Sequence, residues 1–310
     1  MSAGAPRGRI EWRNVDGILL LDKPLHLSSN QALQRARRLF RARKAGHTGS
    51  LDPLASGVLP LCFGQATKVA GLLLDSDKRY QATISFGART ATGDREGEVI
   101  ETRPIPALER PTVAAALERF VGEGEQVPPM YSALKRDGEP LYALARRGIE
   151  VARAPRRITI HALSLVELTA TSLSIELRCT KGTYVRTLGE DLALALGTCG
   201  HLSALRRTGV GAFEGYALYD FAALEALAGD ETALDRCLLP IDAALSALAA
   251  ISLTEAAAGA FRHGQRLAWP APAGARVRVY DASGTFIGIG HVDATGSEVS
   301  PDRLMSTGPA

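Results

Sequence analysis

The stretch from Gly46 to Lys68, GHTGSLDPLASGVLPLCFGQATK, constrains this chain most. Gly46 and Gly49 permit the positive-φ turns that other residues resist. After them stands one acidic residue, Asp52, directly before Pro53. The proline biases Asp52 away from helical geometry and towards an extended one. From Val58 to Gly64 the text turns apolar (VLPLCFG) and predicts a buried strand, with Pro60 marking an irregularity. A lone carboxylate on a glycine-hinged loop at the mouth of an apolar element suits a reacting group, because a rigid scaffold holds the loop. Asp-Pro is also a common turn initiator, and taken alone the dipeptide reads as structural.

At 310 residues the chain is long enough for one large domain and a small one. Apolar content of 46% with 22% charged residues is globular composition and argues against a disordered protein. The net charge of +3 is mild, but its distribution is uneven. Residues 1–50 carry ten Lys/Arg against only Glu11, Asp16 and Asp22. A basic region on a near-neutral body predicts a polyanion partner. Thirty of the 36 basic residues are Arg, whose fork suits phosphates and base edges. The cysteines Cys62, Cys179, Cys199 and Cys237 form no CxxC pair and have no His partner at zinc spacing. No apolar signal core opens the chain and no run reaches the length of a membrane span, which predicts a soluble, cytoplasmic protein without membrane attachment.

Residues 1–14 are polar and Arg-rich and are expected to be frayed. Asp16 to Pro24 (DGILLLDKP) reads as a short strand. Ser28, Ser29 and Asn30 are N-cap residues for a helix expected to run to about Lys44. Arg35, Arg37, Arg38, Arg41 and Arg43 crowd one side of it, with few nearby acids, as a solvated face or as phosphate contacts. Ala66 to Leu74 reads as a short helix, Tyr80 onwards as an alternating strand, and Thr112 to Phe120 as a helix. In the segment at about 126–155, basic residues interleave with Met130, Tyr131, Tyr142 and prolines. Such a mixture fits an insert touching nucleic acid or a helical hairpin with core tyrosines. Ile158 to His161 and Leu173 to Cys179 alternate as strands, and Arg186 falls just before a helix over Leu188 to Leu196. His201 to Arg207 precedes another strand, and Phe221 to Ala250 is Ala/Leu-rich and helical. Beyond Ile251, turn-punctuated strands predict a small β-barrel, with Arg276 to Tyr280 and Thr285 to Ile289 as a hairpin.

Several chemistries lack their scaffold. There is no GxSxG, no HExxH and no phosphate-binding P-loop, and no cysteine sits in a polar loop. What remains is a single carboxylate near basic and aromatic groups, which suits bond rearrangement at a sugar or base. Composition and spacing lead to an RNA-directed α/β enzyme and no further.

Five ordered blocks extend the reading: LDKP at Leu21 to Pro24, the stretch Gly46 to Lys68, DSDKRY at Asp75 to Tyr80, PPMYSALK at Pro128 to Lys135, and KGTYVRTL at Lys181 to Leu188. In order and spacing they resemble the bacterial tRNA pseudouridine synthase B family over roughly residues 15–250. The tail RVRVYDASGTFIGIGHVD resembles the family's PUA-type RNA-binding barrel. The resemblance implies an α/β (α+β) fold with a mixed, largely antiparallel central sheet flanked by helices. It implies a catalytic domain over 1–250, carrying the RNA-contacting insert, and a PUA-like domain over 251–310. It further implies conversion of uridine 55 in the T loop of tRNA to pseudouridine, with no cofactor, metal or guide RNA; a monomer is expected. Asp52 matches the catalytic aspartate, and Arg186 matches the arginine paired with it. Tyr80 matches the tyrosine stacked on the flipped uracil, a candidate acceptor for the C5 proton. His47 matches the histidine that fills the gap left by the base. Tyr184 and Leu205 match positions lining the uracil pocket, and Lys23 matches the LDKP lysine near the cleft. Two rivals remain: a tRNA-folding chaperone that binds the T arm without needing turnover, and a metal-dependent RNA hydrolase.

Overall fold

A computed structural model describes residues 11–306. The chain forms β1 (Gly17–Lys23), α1 (Ser29–Leu39), β2 (Ala45–His47), β3 (Ala55–Phe63), α2 (Ala70–Leu74) and β4 (Lys78–Phe86). A small hairpin, β5 (Ala88–Thr90) with β6 (Val99–Thr102), leads to α3 (Arg110–Glu118) and β7 (Gly122–Gln126). Next come a second hairpin, β8 (Lys135–Arg136) with β9 (Glu139–Pro140), and the helix α4 (Leu141–Arg146). Then β10 (Arg156–Leu168), β11 (Ser172–Cys179), α5 (Val185–Ala195) and β12 (Gly200–Val210) complete the main sheet. The tail contains α6 (Phe221–Ala226), α7 (Glu231–Asp235), β13 (Ala249–Ser252), α8 (Glu255–Arg262) and β14 (Leu267–Ala268). It ends with β15 (Arg276–Tyr280), β16 (Phe286–Val292) and β17 (Glu298–Leu304).

The main sheet has the order β1-β3-β12-β4-β11-β10-β7, with β2 also on β3. Its pairs are antiparallel except β3 with β12, which run parallel over Ala55–Gly57. The sheet is thus mixed and largely antiparallel. Leu59, Leu61, Ile84, Ile175 and Leu202 of its strands are buried with Leu33 and Ala36 of α1, Val113 of α3, and Leu188 and Leu192 of α5. Burying each such aliphatic side chain contributes about 1.5–3 kcal/mol, so helices and sheet order together.

Several local expectations need revision. Asp220 and Asp230 cap two separate short helices where one long helical run was expected, and Pro240 opens a 3-10 turn before β13. Side-chain capping and proline override the Ala/Leu-rich composition here. Helix α1 opens on a capping box between Ser28 and Gln31 but stops at Leu39, because Arg41 turns left-handed at φ 51. Residues 201–207 lie within β12 rather than before a strand. Pro60 leaves β3 unbroken: β12 pairs only with Ala55–Gly57 and β2 only with Leu61–Phe63, so neither needs its missing N–H. Of the expected frayed end, residues 1–10 lie outside the described residues. Arg13, by contrast, is bound: its backbone joins Arg41 and its guanidinium forks onto Asp235 at 2.6 and 2.7 Å.

The expected C-terminal barrel is an open sheet. Its order is β13-β15-β16-β17-β14, and the edge strands β13 and β14 do not pair with each other. A barrel closes to remove its edges. Here Ala258 and Phe261 of α8 cover the apolar face with Ile251, Val277, Val279, Ile287 and Val299, so burial is achieved without closure. This sheet is joined to the larger body by a cluster of Val69, Leu245, Ile289 and Met305, and by Lys68 Nζ donating to the Leu304 carbonyl at 2.7 Å. Among the described residues, no helix is long and apolar enough to cross a membrane.

Candidate active site

Asp52 lies on the loop between β2 and β3, where Gly49 takes φ 81 while Gly46 sits in β2 without a positive φ. Ser29, in the first turn of α1, clamps the loop. Its hydroxyl accepts from Leu51 N at 2.7 Å and donates to Leu51 O at 3.1 Å. The Pro53 carbonyl accepts from His26 N at 2.7 Å, and the Asp52 carbonyl from Ala55 N at 3.0 Å. The carboxylate is therefore held from both sides by backbone geometry.

Arg186 falls in the first turn of α5, not ahead of it. Its Nη2 approaches Asp52 Oδ2 at 2.9 Å, with the arginine side chain 6% exposed and the aspartate 43%. Arg186 also donates to Thr92 O at 2.9 Å and Tyr131 O at 2.7 Å, and Asp94 Oδ2 lies 3.8 Å away. Asp94 is itself buried and accepts from Thr92 Oγ1 at 2.6 Å and Glu96 N at 3.1 Å. The expected pairing of Asp52 with Arg186 is thus formed, and the 126–155 segment reaches the same arginine through Tyr131.

Tyr80 stands on β4 opposite Arg207 of β12. Burial pushes the Tyr80 hydroxyl above its ordinary pKa, while Arg207 pulls the other way. Lys23, fully buried at the end of β1, donates to the carbonyls of Pro24 at 2.8 Å and Leu27 at 2.7 Å. Desolvation lowers its pKa to about 8, partly offset by Asp52. His47 ends β2 with a buried Nδ1 that has no protein partner; burial and then Arg207 lower its pKa. Tyr184 precedes α5 and exchanges two backbone hydrogen bonds with the Gln126 amide at 2.7 and 3.1 Å. Leu205 lies between Ala55 of β3 and Ala82 of β4 and is 9% exposed. The charge of Asp52 raises the pKa of Tyr80, Lys23 and Tyr184 alike. No group of metal-ligating side chains occurs among the described residues.

Sequence reading passed over Ser29, Asp94, Gln126 and Arg207. Ser29 looked like a cap, Asp94 lay in no motif, and Arg207 was one of two adjacent arginines. Only the β12 register decides that Arg207 points inward while Arg206 turns out to fork onto Asp22 at 2.7 and 3.0 Å.

Comparison with known proteins places this geometry. Residues 37–185 match the TruB family pseudouridylate synthase N-terminal domain. Residues 186–246 match the tRNA pseudouridylate synthase B C-terminal domain, and residues 249–305 match Pseudouridine synthase II TruB, C-terminal. A tRNA pseudouridine synthase B of Burkholderia mallei is 52% identical over 99% of this chain and 100% of its own length. That of Nitrosococcus oceani is 48% identical over 96% and 97%. The fold also resembles a chain in a Cbf5-Nop10-Gar1 complex, with a TM-score of 0.74 at 24% identity over 97% of this chain and 88% of the other. A fold wrapped around a loop-borne carboxylate, with near full-length identity of this order, makes the chain a member of the tRNA pseudouridine synthase B family, enzymes that isomerise uridine to pseudouridine in tRNA.

Proposed function

We propose that this enzyme acts on the uridine at position 55 in the T loop of tRNA, with Asp52 as the group that starts the reaction. The observation that carries this reading is the Asp52–Arg186 pair at 2.9 Å, in which the buried partner leaves the carboxylate half-exposed to an incoming base. The isomerisation breaks the N1–C1′ bond, forms the C5–C1′ bond, moves a proton off C5 and protonates N1. Nothing is oxidised or reduced, so acid–base groups and a carboxylate suffice.

The target is stacked inside a folded loop, so the base must be flipped out at a cost of about a few kcal/mol. In this reading Tyr80 stacks on the flipped uracil and offers its hydroxyl to the C5 proton. Tyr184 and Leu205 line the pocket, and His47 fills the space the base leaves. Lys23 has a mainly structural part beneath the loop. The segment 126–155 and the PUA-like unit over 251–310 hold the T arm and more distant parts of the tRNA, while residues 1–250 carry the chemistry. The enzyme works as a cytoplasmic monomer on free tRNA without a guide strand.

Incubation with an unmodified tRNA transcript followed by pseudouridine mapping tests the reading. Product at position 55 is expected from the native chain, and none from Asp52→Asn, whose tRNA affinity is retained. Product elsewhere in the tRNA refutes the site assignment, and an active Asp52→Asn refutes the role of Asp52.

A further inference from the structure

Arg207 has no part in the chemistry described so far, yet it is one of the most deeply buried side chains, at 1% exposed. Its Nε donates to Val58 O at 2.7 Å, Nη1 to Ser50 O at 3.4 Å and Nη2 to Gly49 O at 3.3 Å. In the sheet it stands opposite Tyr80 of β4. One planar fork therefore ties the loop ahead of Asp52 to the strand that follows it, from a strand that pairs with β4 at Tyr80. Arginine has enough rigidly arranged donors to meet acceptors on the loop and the strand at once.

This arrangement is costly. A guanidinium removed from water needs a compensating charge, and no carboxylate within ion-pair distance of Arg207 is found among the described residues. Loop carbonyls alone could be satisfied by neutral donors at lower cost, so packing does not account for a full positive charge here. Beside it β3 and β12 meet closely: at Gly57, φ 101, a Cβ would meet the backbone carbonyl oxygen of Arg207 at 2.1 Å.

We propose that Arg207 is a positioning residue for the isomerisation, a buried brace that fixes the Asp52 loop relative to Tyr80. The proposal rests on the reading of Asp52 as the reacting carboxylate. Binding of tRNA draws on the outer surface of the cleft and is little affected by the brace. Turnover depends on where the carboxylate stands, and displacement of a reacting group by about 1 Å costs about 100-fold in rate.

Arg207→Lys in the full-length chain tests this, since lysine keeps the charge but cannot reach all of the acceptors. At saturating unmodified tRNA the single-turnover rate per folded molecule should fall about 100-fold, with affinity within about threefold of native. The amides of Thr48, Leu51 and Ala55, bonded to Pro60 O, Ser29 Oγ and Asp52 O, should exchange faster with solvent. A residue that only supports the fold would lower the melting temperature and leave the rate per folded molecule unchanged. That result, or native exchange at those amides, overturns the proposal. Should Arg207→Lys fail to fold, Arg207→Gln, which keeps a shorter donor and drops the fork, takes its place, and faster exchange at the same amides is again required. Asp52→Asn separates the two readings. If it is inactive while Arg207→Lys runs at full rate, only the brace fails. If it is active, the reading of Asp52 fails and the loop amides alone decide whether the brace exists.

Discussion

Helix α1 and the floor of the cleft are both rich in cations, and they use them in opposite ways. On α1, Arg35 pairs with Glu225 at 2.5 Å and lies over the Phe221 ring at 4.1 Å. Arg37 bonds the Ala42 and Arg43 carbonyls and covers Trp12. Past the helix, Arg41 pairs with Glu231. The acids that balance this basic face come from α6 and α7, nearly two hundred residues away in sequence. Such surface pairs contribute about 0–1 kcal/mol and are screened by salt. In the cleft, Arg186, Arg207 and Lys23 are buried and aimed at carbonyls and at the carboxylates of Asp52 and Asp94. Loss of a partner there leaves a charge or a row of acceptors without water, at about 3–5 kcal/mol for a fully buried pair. The density of cations in the sequence reports the first region; the chemistry depends on the second.

The largest effect that tests this contrast is expected from Arg186→Met. The change frees Asp52 and strips the Thr92 and Tyr131 carbonyls of their donor. Turnover should drop about 100-fold or more while tRNA affinity holds, because the lost contacts face inward. Single-turnover rates and a binding isotherm on the same preparation check it. Unchanged turnover would mean that the buried cation of α5 is no more important than those on α1.

A smaller effect follows from the pH dependence of Lys23. Its folded pKa of about 8 lies below the ordinary 10.5 because burial disfavours the ammonium. Below about pH 8 folded and unfolded chains both hold the proton, and the fold bears the full cost of the buried charge. Between about 8 and 10.5 the unfolded chain holds a proton that the folded one has released, so stability rises with pH. One such lysine yields about 1 kcal/mol between pH 8 and 9. Lys78, lowered to about 8 by the same cause, adds a similar rise. Cys62 and Cys179, pushed up to about 12 and about 11, act oppositely above pH 9 and close the window. In denaturant titrations Lys23→Met should flatten the rise between pH 8 and 9 by about 1 kcal/mol. Superimposable curves would show that Lys23 is as well solvated as the α1 arginines.

How much of this could be read from the sequence follows from the range of the forces involved. Local signals were legible: the alternation of β4 and β11, the Ser28 cap, and the Asp52 loop with its glycine at Gly49. The matched blocks also singled out Arg186 as the partner of Asp52, and the two meet at 2.9 Å. Properties set by distant partners were not legible. Arg206 and Arg207 are identical letters, and only the β12 register, with its two irregularities, sends one to Asp22 and the other under the cleft. The tail strands and their hairpin were readable, but closure depends on whether β13 and β14 meet, and α8 makes that unnecessary. The arginines of α1 looked unbalanced because their acids follow so late in the chain. Arg38, Arg43 and Lys44 remain exposed.

The smallest effect is expected at Arg35 and Glu225, and it defines the surface end of the contrast. The two side chains are 46% and 47% exposed, so each stays hydrated when the other is removed. A double-mutant cycle of Arg35→Gln and Glu225→Gln, followed by denaturant unfolding, should give a coupling of about 0.2–1 kcal/mol. The coupling should shrink at high salt, as the Debye length falls to about 3 Å near 1 M. Arg35→Gln alone should cost more than Glu225→Gln, because the guanidinium also covers the Phe221 ring and the carboxylate does not. A coupling of several kcal/mol, or one that salt leaves unchanged, would place this pair with the buried cations. The contrast between helix and cleft would then lie in what the cations touch and not in their burial.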